Sequence, residues 1–248
     1  PYCSSCCYLL LDSIGRILSS TTRASNRSTM DLTAGSLRIA SLVGPSLTVI
    51  PQALAAFSER YPGVRTSFQT RSSGTVRDWA MADVLDIGIA ESHTDLGYQV
   101  LHEFDLECYM ALPSDHNLTK RADLGVQDIS RERLLSLSPE HSTSTQLREA
   151  FAANSLKFAP TVETYIFGPL CGLVTAGAGV GLVDPLSAAN YIGRGMTIRR
   201  FRPAIRFQLM MIAPGYRQPS RHAKEFAGFL KSSVDATVAS CERMRLLR

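Results

Sequence analysis

Ser36-Leu37-Arg38-Ile39-Ala40-Ser41-Leu42-Val43-Gly44-Pro45-Ser46 decides the reading of this chain. Apolar side chains alternate from Leu37 to Leu42 in the manner of a strand, and Gly44-Pro45-Ser46 ends the run. Beyond it, Leu47, Ile50, Leu54, Phe57 and Tyr61 recur at intervals of three and four, the apolar stripe of an amphipathic helix that Pro62-Gly63 stops. Val64 to Thr70 alternates again. Ser72-Ser73-Gly74 opens a second helix carrying Val76, Trp79 and Ala80, and Leu85 to Ala90 is a third strand, apolar on both faces apart from Asp86. Strand, helix, strand, helix, strand with short connections predicts an α/β fold, a parallel sheet covered by helices.

Tyr98 to Glu103 and Glu107 to Leu112 then read as two strands with no helix between them. The alternation resumes with strands at Leu134 to Leu137, Thr161 to Tyr165 and Val180 to Val183, interleaved with helices from about Ser144 to Asn154 and Pro169 to Ala176. A strand at Phe207 to Ala213 and a helix from Pro219 to about Val234 close the series. Two strand-helix series separated by long strands predict two similar Rossmann-like lobes whose connections cross between them. Residues 35–105 plus 212–236 form the first lobe and 106–211 the second. Residues 1–34 read as a linker: Ser20 to Gly35 is rich in Ser, Thr and Asn, and Leu10, Ile14 and Leu18 before it have helical spacing. Residues 237–248 read as a tail.

The 248 residues, 45% of them hydrophobic, supply ample core. A net charge of +4 is mild. Basic residues are scattered apart from Arg199, Arg200, Arg202 and Arg206, read as a solvated rim rather than a nucleic-acid surface. No apolar run reaches the roughly 18 residues that cross a bilayer. There is no basic leader with a small-residue cleavage site, so a cytoplasmic protein is expected. The opening at Pro1 reads as a fragment or processed product. Cys3, Cys6 and Cys7 lack a second pair at zinc-finger spacing, and Cys108, Cys171 and Cys241 sit in apolar surroundings or alone, as reduced thiols.

Neither a nucleophile elbow, a His-Glu-x-x-His pair nor a Walker lysine loop is present, and His93, His102, His116, His141 and His222 are dispersed. Gly177-Ala178-Gly179-Val180-Gly181 looks like a dinucleotide loop in the wrong context. A phosphate loop follows a strand and opens a helix, whereas these glycines follow a helix and precede a strand, so they read as a helix C-cap and turn. No cofactor, metal or catalysis is expected. The strand-to-helix junctions Ser41 to Ser46, Thr70 to Thr75 and Ser142 to Ser144 are rich in small polar residues. At the carboxyl edge of a parallel sheet, helix N-termini offer unpaired N–H groups and a positive dipole end, which suits a small anion such as a carboxylate. Ser41, Gly44, Pro45, Ser46, Thr70, Ser72, Ser73, Ser142, Thr143 and Ser144 are therefore candidate ligand contacts. Ser46, Ser72 and Ser144 also suit plain N-caps. Glu91 and Glu163, at strand ends, could pair with a cationic group of a ligand or simply face water.

Gly35-Ser36-Leu37-Arg38-Ile39-Ala40 resembles the start of the effector domain of LysR-type transcriptional regulators. The resemblance continues in order through Pro51 with Ala55-Ala56-Phe57, Tyr61-Pro62-Gly63-Val64, Leu85-Asp86-Ile87-Gly88-Ile89, Leu112-Pro113 and Leu173 to Val180 running into Val183-Asp184-Pro185. It covers about residues 35 to 235. It implies two lobes like those of type 2 periplasmic binding proteins, a small-molecule effector in the cleft, homodimers that assemble into tetramers, and DNA contact only through a winged helix-turn-helix that this chain lacks. It adds Ser138 to Ser144 and the stretch from Glu163 through Phe167 to Gly168 to the ligand loops. Within the family the chain looks nearest to regulators of opine catabolism, which implies a carboxylate or amino-acid-derived effector. His116-Asn117-Leu118 departs from the family's His-Pro-Leu. A periplasmic-type solute-binding protein of a transporter, which shares the fold, is the alternative.

Overall fold

The computed structural model describes residues 35–94 and 97–245. The reading of a helix at Leu10 to Leu18, the linker before Gly35 and the first three cysteines lie outside them. Strand β1 (Gly35–Ser41) is followed by the short helix α1 (Val43–Leu47), α2 (Val49–Arg60), β2 (Val64–Thr70), α3 (Ser73–Met81) and β3 (Ile87–Glu91). β1 lies between β2 and β3 and is parallel to both, with Ser41 opposite Thr70 and Ile89. β4 (Tyr98–Glu107) and the late strand β11 (Arg206–Pro214) complete a five-stranded sheet in the order β2-β1-β3-β11-β4.

The second sheet repeats this plan. β5 (Tyr109–Pro113), β6 (Asp123–Gly125), β7 (Leu134–Leu137), β8 (Val162–Thr164), β9 (Val180–Val183) and β10 (Met196–Arg202) form six strands in the order β6-β10-β5-β9-β7-β8. β7 is parallel to both β8 and β9, as β1 is to β2 and β3. In each sheet the next strand inward runs antiparallel and arrives by a crossover from the other lobe: β11 beside β3, β5 beside β9. The helices are α4 (Val126–Ile129), α5 (Ser142–Ala153), α6 (Phe167–Thr175), α7 (Pro185–Ala188) and α8 (Arg221–Met244). The boundary expected at 211/212 falls inside β11, and the chain crosses at Cys108 and at residues 203–205. Those crossings are joined by a hydrogen bond from the Cys108 N–H to the Ile205 carbonyl, 2.9 Å.

The apolar pattern explains the packing. On one face of the first sheet, Ile50 and Phe57 of α2 meet Phe226 and Leu230 of α8, all fully buried, with Phe57 edge-on to Phe226 at 5.7 Å. Emptying such a site by Phe57→Ala would cost about 3–5 kcal/mol. On the other face, Val76 and Ala80 of α3 pack on Ala40, Leu85, Met210 and Ile212. Gly88 permits that approach, since a Cβ there would lie 2.7 Å from a Val76 methyl. Asp86, the polar exception in the third strand, receives the Arg38 N–H at 2.8 Å and the Arg38 and Arg217 guanidinium groups at 3.1 and 2.7 Å.

Several expectations are corrected. The first helix breaks at Thr48, so Leu47 is 60% exposed rather than part of the buried stripe. Tyr98 onward is one strand through Glu107, and the next begins at Tyr109. The final helix continues to Met244, through most of the expected tail. The basic run is a solvated rim only in part: Arg202 and Arg206 are exposed and lie with Arg200 within 4.0 Å of Glu107 beside the crossovers, whereas Arg199 is buried with its guanidinium on the Thr119 carbonyl at 2.7 Å. One reading holds: the glycines at 177 and 179 end α6 as a C-cap and turn, the Gly177 (φ +77°) and Ala178 N–H groups bonding back to the Val174 and Leu173 carbonyls in the paired closure of a Schellman motif. His116, in the departing turn, accepts the Leu118 N–H on Nδ1 at 3.2 Å.

Candidate functional site

Because each sheet places its first strand between the second and third, the crossovers on either side diverge and leave a crevice at the strands' carboxyl ends. Here both crevices open into one cleft of about 740 Å³. From the first lobe come Leu42 to Pro45 after β1, Thr70 to Gly74 after β2, and Glu91 to His93 after β3; from the second come Ser138 after β7, Tyr165 to Gly168 after β8, and Asp184 after β9. The three parallel-wound strands of each sheet, β1 to β3 and β7 to β9, therefore deliver residues to the same space.

Of the candidate contacts, Gly44, Pro45, Thr70, Ser72, Ser73, Glu91 and Phe167 line this cleft. Ser72 caps α3, its Oγ accepting the Thr75 N–H at 3.3 Å. Ser73 Oγ accepts the Glu91 N–H at 3.1 Å and ties α3 to β3. Ser41, Ser46, Ser142, Thr143, Ser144 and Glu163 are not among the lining residues. Ser41 is fully buried and donates to the Leu42 carbonyl. Ser46 is no cap: it sits inside α1 and donates back to the Leu42 carbonyl at 2.8 Å. Ser144 lies within α5, 3.2 Å from Ser136 Oγ, and the cap of that helix is His141 instead. Thr143 is buried against His141, Ser142 is exposed at the first position of α5, and Glu163 is exposed on β8.

Three groups the residue-type search passed over shape the chemistry. Arg71 stands at the mouth beyond Thr70, its guanidinium 5.1 Å from the Trp79 ring centroid and bonded to the Thr70 carbonyl at 2.8 Å. His141 lies against Phe167 and Phe207, with ring centroids 5.2 and 5.5 Å away. Its Nδ1 accepts from the Thr143 N–H and contacts Thr143 Oγ1 at 2.9 Å, which leaves Nε2 to carry the proton toward Glu91 Oε1, 3.6 Å away in the other lobe. Burial lowers the His141 pKa to about 4, so this is a neutral imidazole beside a carboxyl rather than an ion pair. Burial also raises the Glu91 pKa, opposed by the nearby Arg77 charge. Asp184, 1% exposed, caps α7 by accepting the Leu186 and Ser187 N–H groups on Oδ1 at 2.9 and 3.1 Å. An Asp before Pro at a helix start was the available signal for it. The α6 N-terminus has no side-chain cap, and nothing lies within 4 Å of where a Gly168 Cβ would be.

Two α/β lobes joined by paired crossovers around such a cleft make this a binding module of the type 2 periplasmic binding protein fold. The family description "LysR substrate binding domain" matches residues 31–235, and the chain belongs to the LysR family of transcriptional regulators as its effector-binding domain. Among curated relatives, it is 32% identical over 209 residues to the transcriptional activator protein LysR of Escherichia coli, covering 84% of this chain and 67% of that one. It is 25% identical over 206 residues to the octopine catabolism/uptake operon regulatory protein OccR of Rhizobium meliloti, covering 83% and 68%. Among solved structures, the effector-binding domain of QuiR in complex with shikimate has a TM-score of 0.64 at 14% identity, covering 82% and 98%. Among the described residues, no helix is long and apolar enough to cross a membrane.

Proposed function

We propose that this chain senses a small carboxylate, derived from an amino acid, in the interlobe cleft, and that the signal leaves through dimers or tetramers of a cytoplasmic regulator whose DNA contact lies in a separate winged helix-turn-helix. The observation that carries this reading is the convergence of six strand ends on a cleft of about 740 Å³, large enough for a guest of several amino-acid-sized fragments. Its anion-binding features are the N-terminus of α6, which has no side-chain cap, the positive dipole end of α3, and Arg71. Its apolar wall of Leu47, Tyr165, Phe167 and Phe207 suits an aliphatic body. The relative named for octopine catabolism supports an amino-acid-derived guest, and the neighbour holding shikimate is a domain of this fold that takes a small carboxylate.

The cleft performs no chemistry in this scheme. A guest touching both lobes favours the closed arrangement by its differential affinity for it, and closure is the signal. Titration calorimetry with a panel of amino acids, N-carboxyalkyl amino acids and simple organic acids tests the reading. At least one member should bind with micromolar affinity and raise the unfolding temperature. Silence across the whole panel would overturn it.

A further inference from the structure

Among the described residues, three buried side-chain nitrogen or oxygen atoms have no hydrogen-bond partner: Asp184 Oδ2, Ser187 Oγ and Arg200 Nε. Two of the three belong to residues that line the cleft, Asp184 capping α7 and Ser187 within it. An unmade bond at a buried polar atom is costly, and the great majority of such atoms in folded proteins find a partner. Both side chains are more than nine-tenths buried, at 1% and 5% exposed. We propose that Asp184 and Ser187 form a subsite for a nitrogen cation, an ammonium or guanidinium group, carried by the effector.

The geometry selects a cation over an acid. Oδ1 of Asp184 is occupied by two backbone N–H groups, which fix the carboxyl plane and leave Oδ2 as the acceptor for a guest. Burial raises the Asp184 pKa, opposed by those bonds and by the nearby Ser187 hydroxyl, and a nitrogen cation placed at Oδ2 would tip the group to its ionised form; neither Oδ2 nor the hydroxyl completes a bond inside the protein. A carboxylate guest would be repelled there. The topology adds a second acid in the corresponding place, since Glu91 ends β3 as Asp184 follows β9, and both line the cleft. Opposite, the Gly44 backbone packs close to the hydroxyl, and a Cβ at that position would lie 3.0 Å from Ser187 Oγ. The guest is thereby oriented, its cation at the α1–α7 side of the cleft and its carboxylate toward Arg71 and the start of α3. A charge-assisted bond of this kind is worth about tenfold to a hundredfold in affinity.

This inference rests on the reading of the cleft as an effector site, and the test separates the two. Calorimetry on the full chain would use lysine, arginine and their N-carboxyethyl derivatives. The counterparts are norleucine and citrulline, which lack the side-chain cation, and the corresponding des-amino acids, which lack the α-ammonium. Asp184→Asn keeps the cap of α7 and removes the charge; Ser187→Ala is the second variant. Expected is a loss of about tenfold or more for the cationic probe in Asp184→Asn, and no change for the counterpart that lacks the nitrogen in question. Equal weakening of both, or unchanged affinity for the cationic probe, overturns the subsite while leaving the cleft a sensor. Absence of binding by every probe to the unaltered chain overturns both.

Discussion

Lowering the pH from 7 to 5 should destabilise this domain through His141, and the amount can be worked from its surroundings. The ring side chain is 10% exposed, packed between Phe167 and Phe207, with Nδ1 engaged by Thr143. Its pKa falls from the ordinary value near 6.5 to about 4 because burial disfavours the imidazolium. Between those values the unfolded chain binds a proton that the folded one refuses, so stability is full above pH 6.5 and is lost as the pH falls toward 4. Integrated, this loss is about 2 kcal/mol between pH 7 and 5 and about 3 kcal/mol by pH 4. Urea unfolding at a series of pH values, compared with His141→Asn, isolates it from the carboxyl groups that titrate below. The Asn side chain also caps helices but does not ionise in this range. The difference in stability between the two proteins should therefore shrink by about 2 kcal/mol over that interval. If both lose stability in parallel, the imidazole is not neutral in the folded state, and the contact with Glu91 is an ion pair after all.

Asp86→Ala removes the acceptor of the Arg38 and Arg217 groups and should cost about 2–3 kcal/mol at pH 7, read by urea denaturation. Burial raises the Asp86 pKa, but the hydrogen bonds from Arg38 and Arg217 outweigh it and hold the carboxyl below its ordinary value. Its contribution is thus present above the ordinary carboxylate pKa and lost as the pH falls through the folded value, so the gap between variant and parent should close in strong acid. Gly179→Ala should be costlier than most surface changes, by about 3 kcal/mol or by loss of soluble protein, because the new Cβ would meet the Arg133 carbonyl oxygen. A stable Gly179→Ala variant with an unshifted unfolding temperature would show that the turn before β9 relaxes freely.

The fold was legible where burial follows a period. β1, β2, α2 and α3 appear in the apolar spacing because one face of each is covered. β10 did not, since Met196 to Arg202 carries three arginines, one of them buried with its guanidinium on carbonyl oxygens, and charge conceals a strand from any apolar pattern. The far end of α8 was lost to Asp235, Glu242 and Arg243 for the same reason. The loops of the site were legible because topology alone sends them to the carboxyl edge. Individual roles were not: a serine that caps a helix, as Ser72 does, and one that bonds back within it, as Ser46 does, look alike in sequence. At α5 the cap is a histidine, a residue type the search for small hydroxyls passes over.

The bond between Cys108 and Ile205 has a mechanical consequence. Two chain segments that pass side by side and are stitched together act as a pin, leaving bending as the easy motion and resisting twist. A third tie, α8, starts against the first lobe and ends on the second, where Glu242 accepts from Tyr109 Oη at 2.5 Å and the Arg245 carbonyl accepts from Arg199. With a pin and a strut, opening and closing of the jaw is the motion these ties oppose least, and under the proposed sensing role guests of different shape would be read as points on a single dial.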